Sequence, residues 1–235
     1  MPVTISPLSL SHDADFATIQ SLVASDTARL RPDIQRQLQV EVVRALKQEL
    51  ERKEQEISAH GDRTANYAVA LGATVGLSEA ALLDLYFAAL LHDIGRLTLP
   101  KDLLRKQEPL TAEEYALVQC HPRAGAELLE PIPFLRVPAI LIAHHHERWD
   151  GAGYPYGLKG PIIPLGSRIL AVADTFDALT SDQPYDPALD PESAMRLLQI
   201  VAGSQLDPEL VEAFIELTAK LMEPLTDLLP TGDSG

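Results

Sequence analysis

Residues 80–95 read AALLDLYFAALLHDIG, and this stretch decides the fold class. From Ala80 to Leu91 nearly every position is apolar, on several helical faces rather than one. A helix without a polar stripe has no side to give to water, so Ala80–His92 is expected as a buried central helix with Ser78 as its N-cap. The run closes on a histidine and an aspartate, His92-Asp93, with Gly95 just beyond.

Further helices are expected on both sides of this core segment. Asn66–Val75 precedes it. After it, Thr111-Ala-Glu-Glu114 is a capping box that opens a helix. Pro131 and Pro133 break the chain, and Val137–His146 resumes as a second buried helix. Residues 150–166 hold Gly151, Gly153, Pro155, Gly157, Gly160, Pro161 and Pro164, the mark of a long ordered loop, and such loops in compact domains tend to be functional. Ile169–Leu179 is another apolar helix, and Pro191–Val201 and Pro208–Leu221 close the domain. Few segments alternate with period two, and no hairpin signal appears.

Upstream, Asp33 is the expected N-cap of a long helix in which Ile34, Leu38, Val42, Leu46 and Leu50 recur every four residues. Val43, Leu46, Leu50 and Ile57 also fit a heptad-like seam, so the helix either packs on its own domain or dimerises. Asp13–Leu30 makes one more helix, stopped by Arg31-Pro32, and residues 1–12 form a loose arm. The expectation is an all-α helical bundle with a long Gly/Pro-rich loop. Residues 1–49 form an N-terminal helical extension for dimerisation or regulation, 50–221 the main domain, and 222–235 a flexible tail.

Composition narrows the function. The chain has 235 residues, 46% of them hydrophobic, enough for a real core. With 19 Lys+Arg against 34 Asp+Glu the net charge is −15, which argues against a binder of nucleic-acid polymers. An anionic substrate would require bound cations to reverse the sign locally. The single cysteine, Cys120, allows no disulfide within the chain and suits a reducing cytoplasm. The N-terminus lacks the basic-then-apolar pattern of a signal peptide, and the apolar runs are too short for a bilayer, so a soluble cytoplasmic protein is expected.

Six of the seven histidines lie between positions 60 and 146: His60, His92, His121, His144, His145 and His146. A carboxylate beside an imidazole at the end of an apolar helix, as at His92-Asp93, is costly to bury without a charged partner, and a metal supplies one. Asp174, inside Ile-Leu-Ala-Val-Ala-Asp-Thr-Phe-Asp-Ala-Leu, repeats the logic. Glu56 and His60, four apart, share one helical face. Mixed imidazole and carboxylate sets suit iron, manganese, zinc or nickel.

The order His60, His92-Asp93, Asp174 resembles the HD phosphohydrolase superfamily. The stretch from His145 through Trp149-Asp-Gly-Ala-Gly-Tyr-Pro155 resembles its HD-GYP subfamily, as do His92-Asp-Ile-Gly95, His121-Pro122 with Gly125, Ile163-Pro164-Leu165 through Arg168, and Ala173–Ser181. The resemblance implies a helical, metal-dependent phosphodiesterase hydrolysing cyclic dinucleotides, chiefly the bacterial messenger cyclic di-GMP, to pGpG or GMP. It implies two or three divalent transition metals, iron or manganese first and zinc, nickel or cobalt next. The ligand positions fall on Glu56, His60, His92, Asp93, His121, His145, His146 and Asp174, with His144 outside the set. A water activated between metals attacks phosphorus. Asp177, one turn after Asp174, faces the same side and serves the leaving oxygen, and Tyr154 contacts substrate.

Three positions depart from the pattern. Arg96 stands where the family usually has lysine; it keeps the charge and can clamp phosphate but gives up no proton readily. Gln183 and Asp186, in Gln183-Pro184-Tyr185-Asp186, replace two basic phosphate contacts, which points to weak cyclic di-GMP binding or a changed substrate. The alternatives are a phosphohydrolase for another nucleotide or a non-catalytic signalling module.

Overall fold

Pro32, with its ring-fixed φ at a position where a missing N–H costs nothing, opens the first helix of the described residues. The computed structural model describes residues 31–53, 58–106, 108–182 and 187–222. Its longer helices are α1 (Pro32–Lys53), α2 (Ser58–Thr74), α3 (Glu79–Leu91), α4 (Lys101–Leu104), α5 (Ala112–Val118) and α6 (His121–Leu129). They continue with α7 (Arg136–Ala143), α8 (Leu165–Leu179), α9 (Pro191–Val201) and α10 (Pro208–Met222). Short 3-10 turns lie at Ile94–Thr98, Pro133–Leu135 and Gly160–Ile162. Among the described residues there is no strand, only one isolated bridge between Ala202 and Leu206. The chain is all-α, as its sequence pattern predicts.

Helix α3 is the axis. Ser78 caps it by accepting the Ala81 N–H, and Leu85 and Phe87–Leu91 are buried. It packs on α1, α2, α7 and α8; α2 in turn runs against α8 and α10, and α6 lies across α7 and the 3-10 turn after α3. Tyr67 of α2, Phe176 of α8 and Phe214 of α10 meet edge-on at 5.0–6.0 Å and tie three helices together.

Helix α1 buries Val42, Val43, Leu46 and Leu50 in the same core as α3, each at most 3% exposed. Of the two readings of its apolar seam, packing on its own domain is the one the described residues adopt. Lys53 at its C-terminus donates to the carbonyls of Leu97 and Leu99, fastening α1 to the 3-10 turn. The predicted N-cap at Asp33 instead pairs with Arg31 on the surface. Helix α2 starts eight residues earlier than predicted, at Ser58. The predicted arm, the Asp13–Leu30 helix and the tail from Pro224 lie outside the described residues, as do Glu56, Ile57, Gln183 and Asp186.

The helix predicted to run to His146 stops at Ala143. The His145 ring bonds the Ile142 carbonyl, taking an acceptor that a continuing helix would need. The Gly/Pro-rich segment is ordered by hydrogen bonds rather than by regular structure. Glu147 accepts the Tyr156 and Leu158 N–H groups, and Gly160 donates to Trp149. Trp149 and Asp150 donate to Gln205 and Ser204 of the turn before α10. No described helix is long and apolar enough to cross a membrane.

Candidate metal centre

Three histidines use one local device. His92 follows α3 and donates its Nδ1–H to Ala89; His121 follows α5 and donates to Val118; His145 follows α7 and donates to Ile142, at 2.8, 2.8 and 2.6 Å. Each acceptor is a carbonyl three residues back, in the last turn of a helix, where carbonyls have no helical partner. The bond places the proton on Nδ1 and leaves each Nε2 with a free lone pair, the form that binds a metal.

The free nitrogens converge. His121 and His145 approach Nε2 to Nε2 at 3.4 Å. His121 Nε2 is 3.4 Å from one Asp93 oxygen, and His92 Nε2 is 3.7 Å from the other and 3.5 Å from Asp174. His60 Nε2 meets the same Asp174 oxygen at 2.9 Å. His146 stacks edge-on to His121 at 5.0 Å. Ligand atoms of His121, His145 and His146 lie within 4.8 Å of one another, and so do those of His60, His92 and Asp93. Seven of the eight expected ligands are thus in one place; Glu56 lies outside the described residues.

Electrostatics tests whether this set fits a cation. Burial, reinforced by neighbouring histidines, pushes His145 far below its usual range and His146 down to about 3, and burial also lowers His121. These rings are neutral at neutral pH, and two acceptor lone pairs 3.4 Å apart repel unless something positive lies between them. At His60 burial works against protonation, but Asp174 and Asp177 outweigh it and raise the ring to about 10. Burial would raise Asp93, yet positive charge beside it, that of Arg96 included, holds it well below the usual carboxylate range. Buried carboxylates kept ionised among neutral imidazoles are the donor set of a divalent metal site.

The HD domain family model matches residues 44–210. This chain belongs to the HD domain family. It is 37% identical over 185 residues to a cyclic di-GMP phosphodiesterase of Thermotoga maritima, covering 78% of this chain and 50% of that one. It is 39% identical over 183 residues to a cyclic di-GMP phosphodiesterase response regulator of Xanthomonas campestris, covering 77% and 48%. A solved cyclic GMP-AMP-specific phosphodiesterase of Vibrio cholerae matches with TM-score 0.59 and 26% identity, over 74% of this chain and 47% of that one. The chain spans about half the length of these relatives. The HD-GYP resemblance carried by its motifs agrees with them.

Within the HD domain, the remaining expected residues take distinct places. Arg96, partly exposed, bonds Asp93 at 3.0 Å at the edge of the centre. Tyr154 lies 4.9 Å from the His146 ring, and burial raises its phenol, so it stays un-ionised. Asp177 is fully buried behind His60: one oxygen takes His60 Nδ1, and Arg63 bonds both. From α8 it points at α2, against the Nδ1 side of the His60 ring, opposite the nitrogen that meets Asp174. His144 packs on Tyr156, outside the ligand group.

Sequence reasoning passed over Arg63, Glu147 and Lys53. Glu147 offered a signal, a carboxylate directly after two candidate ligand histidines. Arg63 and Lys53 offered none, since their partners lie 114 and 44–46 residues away. A cleft of about 470 Å³ opens onto His145, His146 and Asp174 and extends past Tyr154 to Tyr115, Gln119 and Gln205.

Proposed function

We propose that this HD domain is a metal-dependent phosphodiesterase that hydrolyses cyclic di-GMP to pGpG or GMP. The carrying observation is the convergence of neutral imidazole nitrogens and ionised carboxylates at the floor of an open cleft. His60, His92, Asp93, His121, His145, His146 and Asp174 hold two divalent metals, iron or manganese, and Glu56 provides for a third. When bound, these metals supply an activated water and charge compensation at the phosphate.

The chain's own residues do the rest. Helix ends fix the tautomers of His92, His121 and His145, and Asp177 with Arg63 fixes His60, so the ligands are set before any metal arrives. Arg96 stands at the edge as the phosphate clamp; a guanidinium holds its proton, so it serves charge and not acid catalysis. Tyr154 walls the cleft over His146 and keeps bulk water from that side.

A different cyclic dinucleotide is the second reading. Gln183 and Asp186 favour it, standing where the resemblance implies basic residues, and so does the likeness to the cyclic GMP-AMP-specific enzyme. The test is anaerobic purification, metal per chain, and hydrolysis of cyclic di-GMP, 3'3'-cyclic GMP-AMP and cyclic di-AMP with added Fe(II) or Mn(II). A His92→Ala, Asp93→Ala double variant is the control. Metal-dependent turnover absent from the variant is expected; a fully loaded protein that cleaves none of the three refutes the proposal.

A further inference from the structure

Helix α5 poses a question of economy. It spans seven residues, and none of them is buried. A helix normally forms because it gives the core an apolar face; this one does not. Its start is nonetheless carefully made. Thr111 Oγ1 accepts the Glu114 N–H, Glu114 accepts the Thr111 N–H at 2.8 Å, and Lys106 clamps the same Glu114 carboxylate at 2.5 Å. Its end has one task, presenting the Val118 carbonyl to His121. Nothing in that task requires a large aromatic residue three positions earlier.

Tyr115 is that residue. It is 51% exposed, and its hydroxyl makes no hydrogen bond to any described residue. It is not scattered over the surface at random. Tyr115 and Gln119, four apart and so on one side of the helix, both line the cleft that opens onto His145, His146 and Asp174. Small residues, Ala152, Ala171 and Ala178, line it too. Its volume, about 470 Å³, is within the ordinary range for a site that buries a small ligand.

We propose that Tyr115 is a base-stacking residue, its ring forming a platform for one purine of the substrate while the phosphate sits at the metal centre. This rests on the cyclic-dinucleotide reading above. An aromatic ring with a free face stacks on any base, so Tyr115 contributes affinity for the nucleotide class rather than a choice between guanine and adenine. The Gln119 amide, with a donor and an acceptor, lies on the same wall to meet a base edge.

The test compares the full chain with Tyr115→Ala and Tyr115→Phe, on cyclic di-GMP and on bis(p-nitrophenyl) phosphate, a diester without a base. Metal per chain is measured for each. Tyr115→Ala is expected to raise KM for cyclic di-GMP by roughly 5- to 150-fold, the range for loss of one base stack. It is expected to leave kcat nearly unchanged, and metal content and bis(p-nitrophenyl) phosphate hydrolysis at wild-type level. Tyr115→Phe keeps the ring and behaves as wild type. An Ala variant with unchanged KM overturns the inference. So does equal loss on both substrates, which marks damage to the centre, or a Phe variant as weak as Ala, which assigns the effect to the hydroxyl. If the wild-type protein cleaves the simple diester but no cyclic dinucleotide, the proposed function fails first and the platform with it.

Discussion

Glu147→Gln isolates the carboxylate that holds the Gly/Pro-rich loop. The Glu147 side chain is fully buried and accepts the Tyr156 N–H at 2.8 Å and the Leu158 N–H at 3.0 Å, one on each oxygen. Glutamine has the same shape but one acceptor, so one of the two amides must face an NH2 group. Losing a hydrogen bond to a charged group costs about 1.5–3 kcal/mol. For a domain of this size each kcal/mol lowers Tm by about 2–4 °C, so a fall of about 3–12 °C is expected. Glu147→Ala leaves both amides without partners and is expected to cost about 3–6 kcal/mol, a large share of the roughly 5–15 kcal/mol that holds a domain together. Calorimetry and urea titration of the purified variants measure this. The loop also carries Tyr154 against His146, so the surviving Gln variant should show a raised KM with metal content intact. A Gln variant with a Tm within about 1 °C of wild type would show that Glu147 does not anchor the loop, since even the lower bound gives about 3 °C.

Gly95→Ala should abolish metal binding: an added Cβ would lie 1.9 Å from the His121 carbonyl oxygen and 2.5 Å from the Gly125 nitrogen, both backbone, so the Asp93 turn and α6 must part. Metal per chain and near-UV circular dichroism check it. Leu46→Ala should destabilise by about 2–5 kcal/mol, as for a fully buried leucine in a core, and urea unfolding measures whether α1 belongs to the domain. Metal loading of the EDTA-treated protein at pH 8 should release about one proton from His60, whose metal-free pKa of about 10 keeps it charged there, while the depressed His121, His145 and His146 release none. Being raised, the His60 pKa stabilises the metal-free protein fully below about pH 6.5. That stability is lost as pH rises through about 10. Titration in weakly buffered solution and the Tm-versus-pH curve test both signs.

What could be read from the sequence, and what could not, follows from the range of the forces involved. The apolar run 80–91 and the cap at Ser78 are local, and α3 formed where they placed it. The candidate ligands were legible because a histidine or aspartate in or after an apolar helix is conspicuous against its neighbours. Ligand geometry was not. The device that aims His92, His121 and His145 depends on where α3, α5 and α7 stop, and the end of α7 is set by His145 itself, three residues short of the expected terminus. The partners of Asp177 were not legible for a related reason. Helical spacing correctly put it on one side of α8 with Asp174, but that α2 crosses there, bringing His60 and Arg63, is tertiary.

The charge of −15 looked unfavourable for an anionic substrate. That excess lies outside the centre itself. Asp93, Asp174 and Asp177 are balanced one for one by Arg96, Arg63 and a protonated His60, and burial lowers His121, His145 and His146, so the metal-free centre carries no positive excess. Such a centre cannot attract phosphate by itself; it attracts cations, and only the loaded centre presents positive charge to the cleft. The buried carboxylates are therefore part of what lets the cleft meet an anion. Exchanging Asp174 for Asn should for that reason weaken substrate binding rather than improve it, although it removes a negative charge from the floor of the cleft. If Asp174→Asn instead bound cyclic di-GMP more tightly with metal present, the carboxylates would be repelling the substrate directly, and the metal-centred account of this cleft would be wrong.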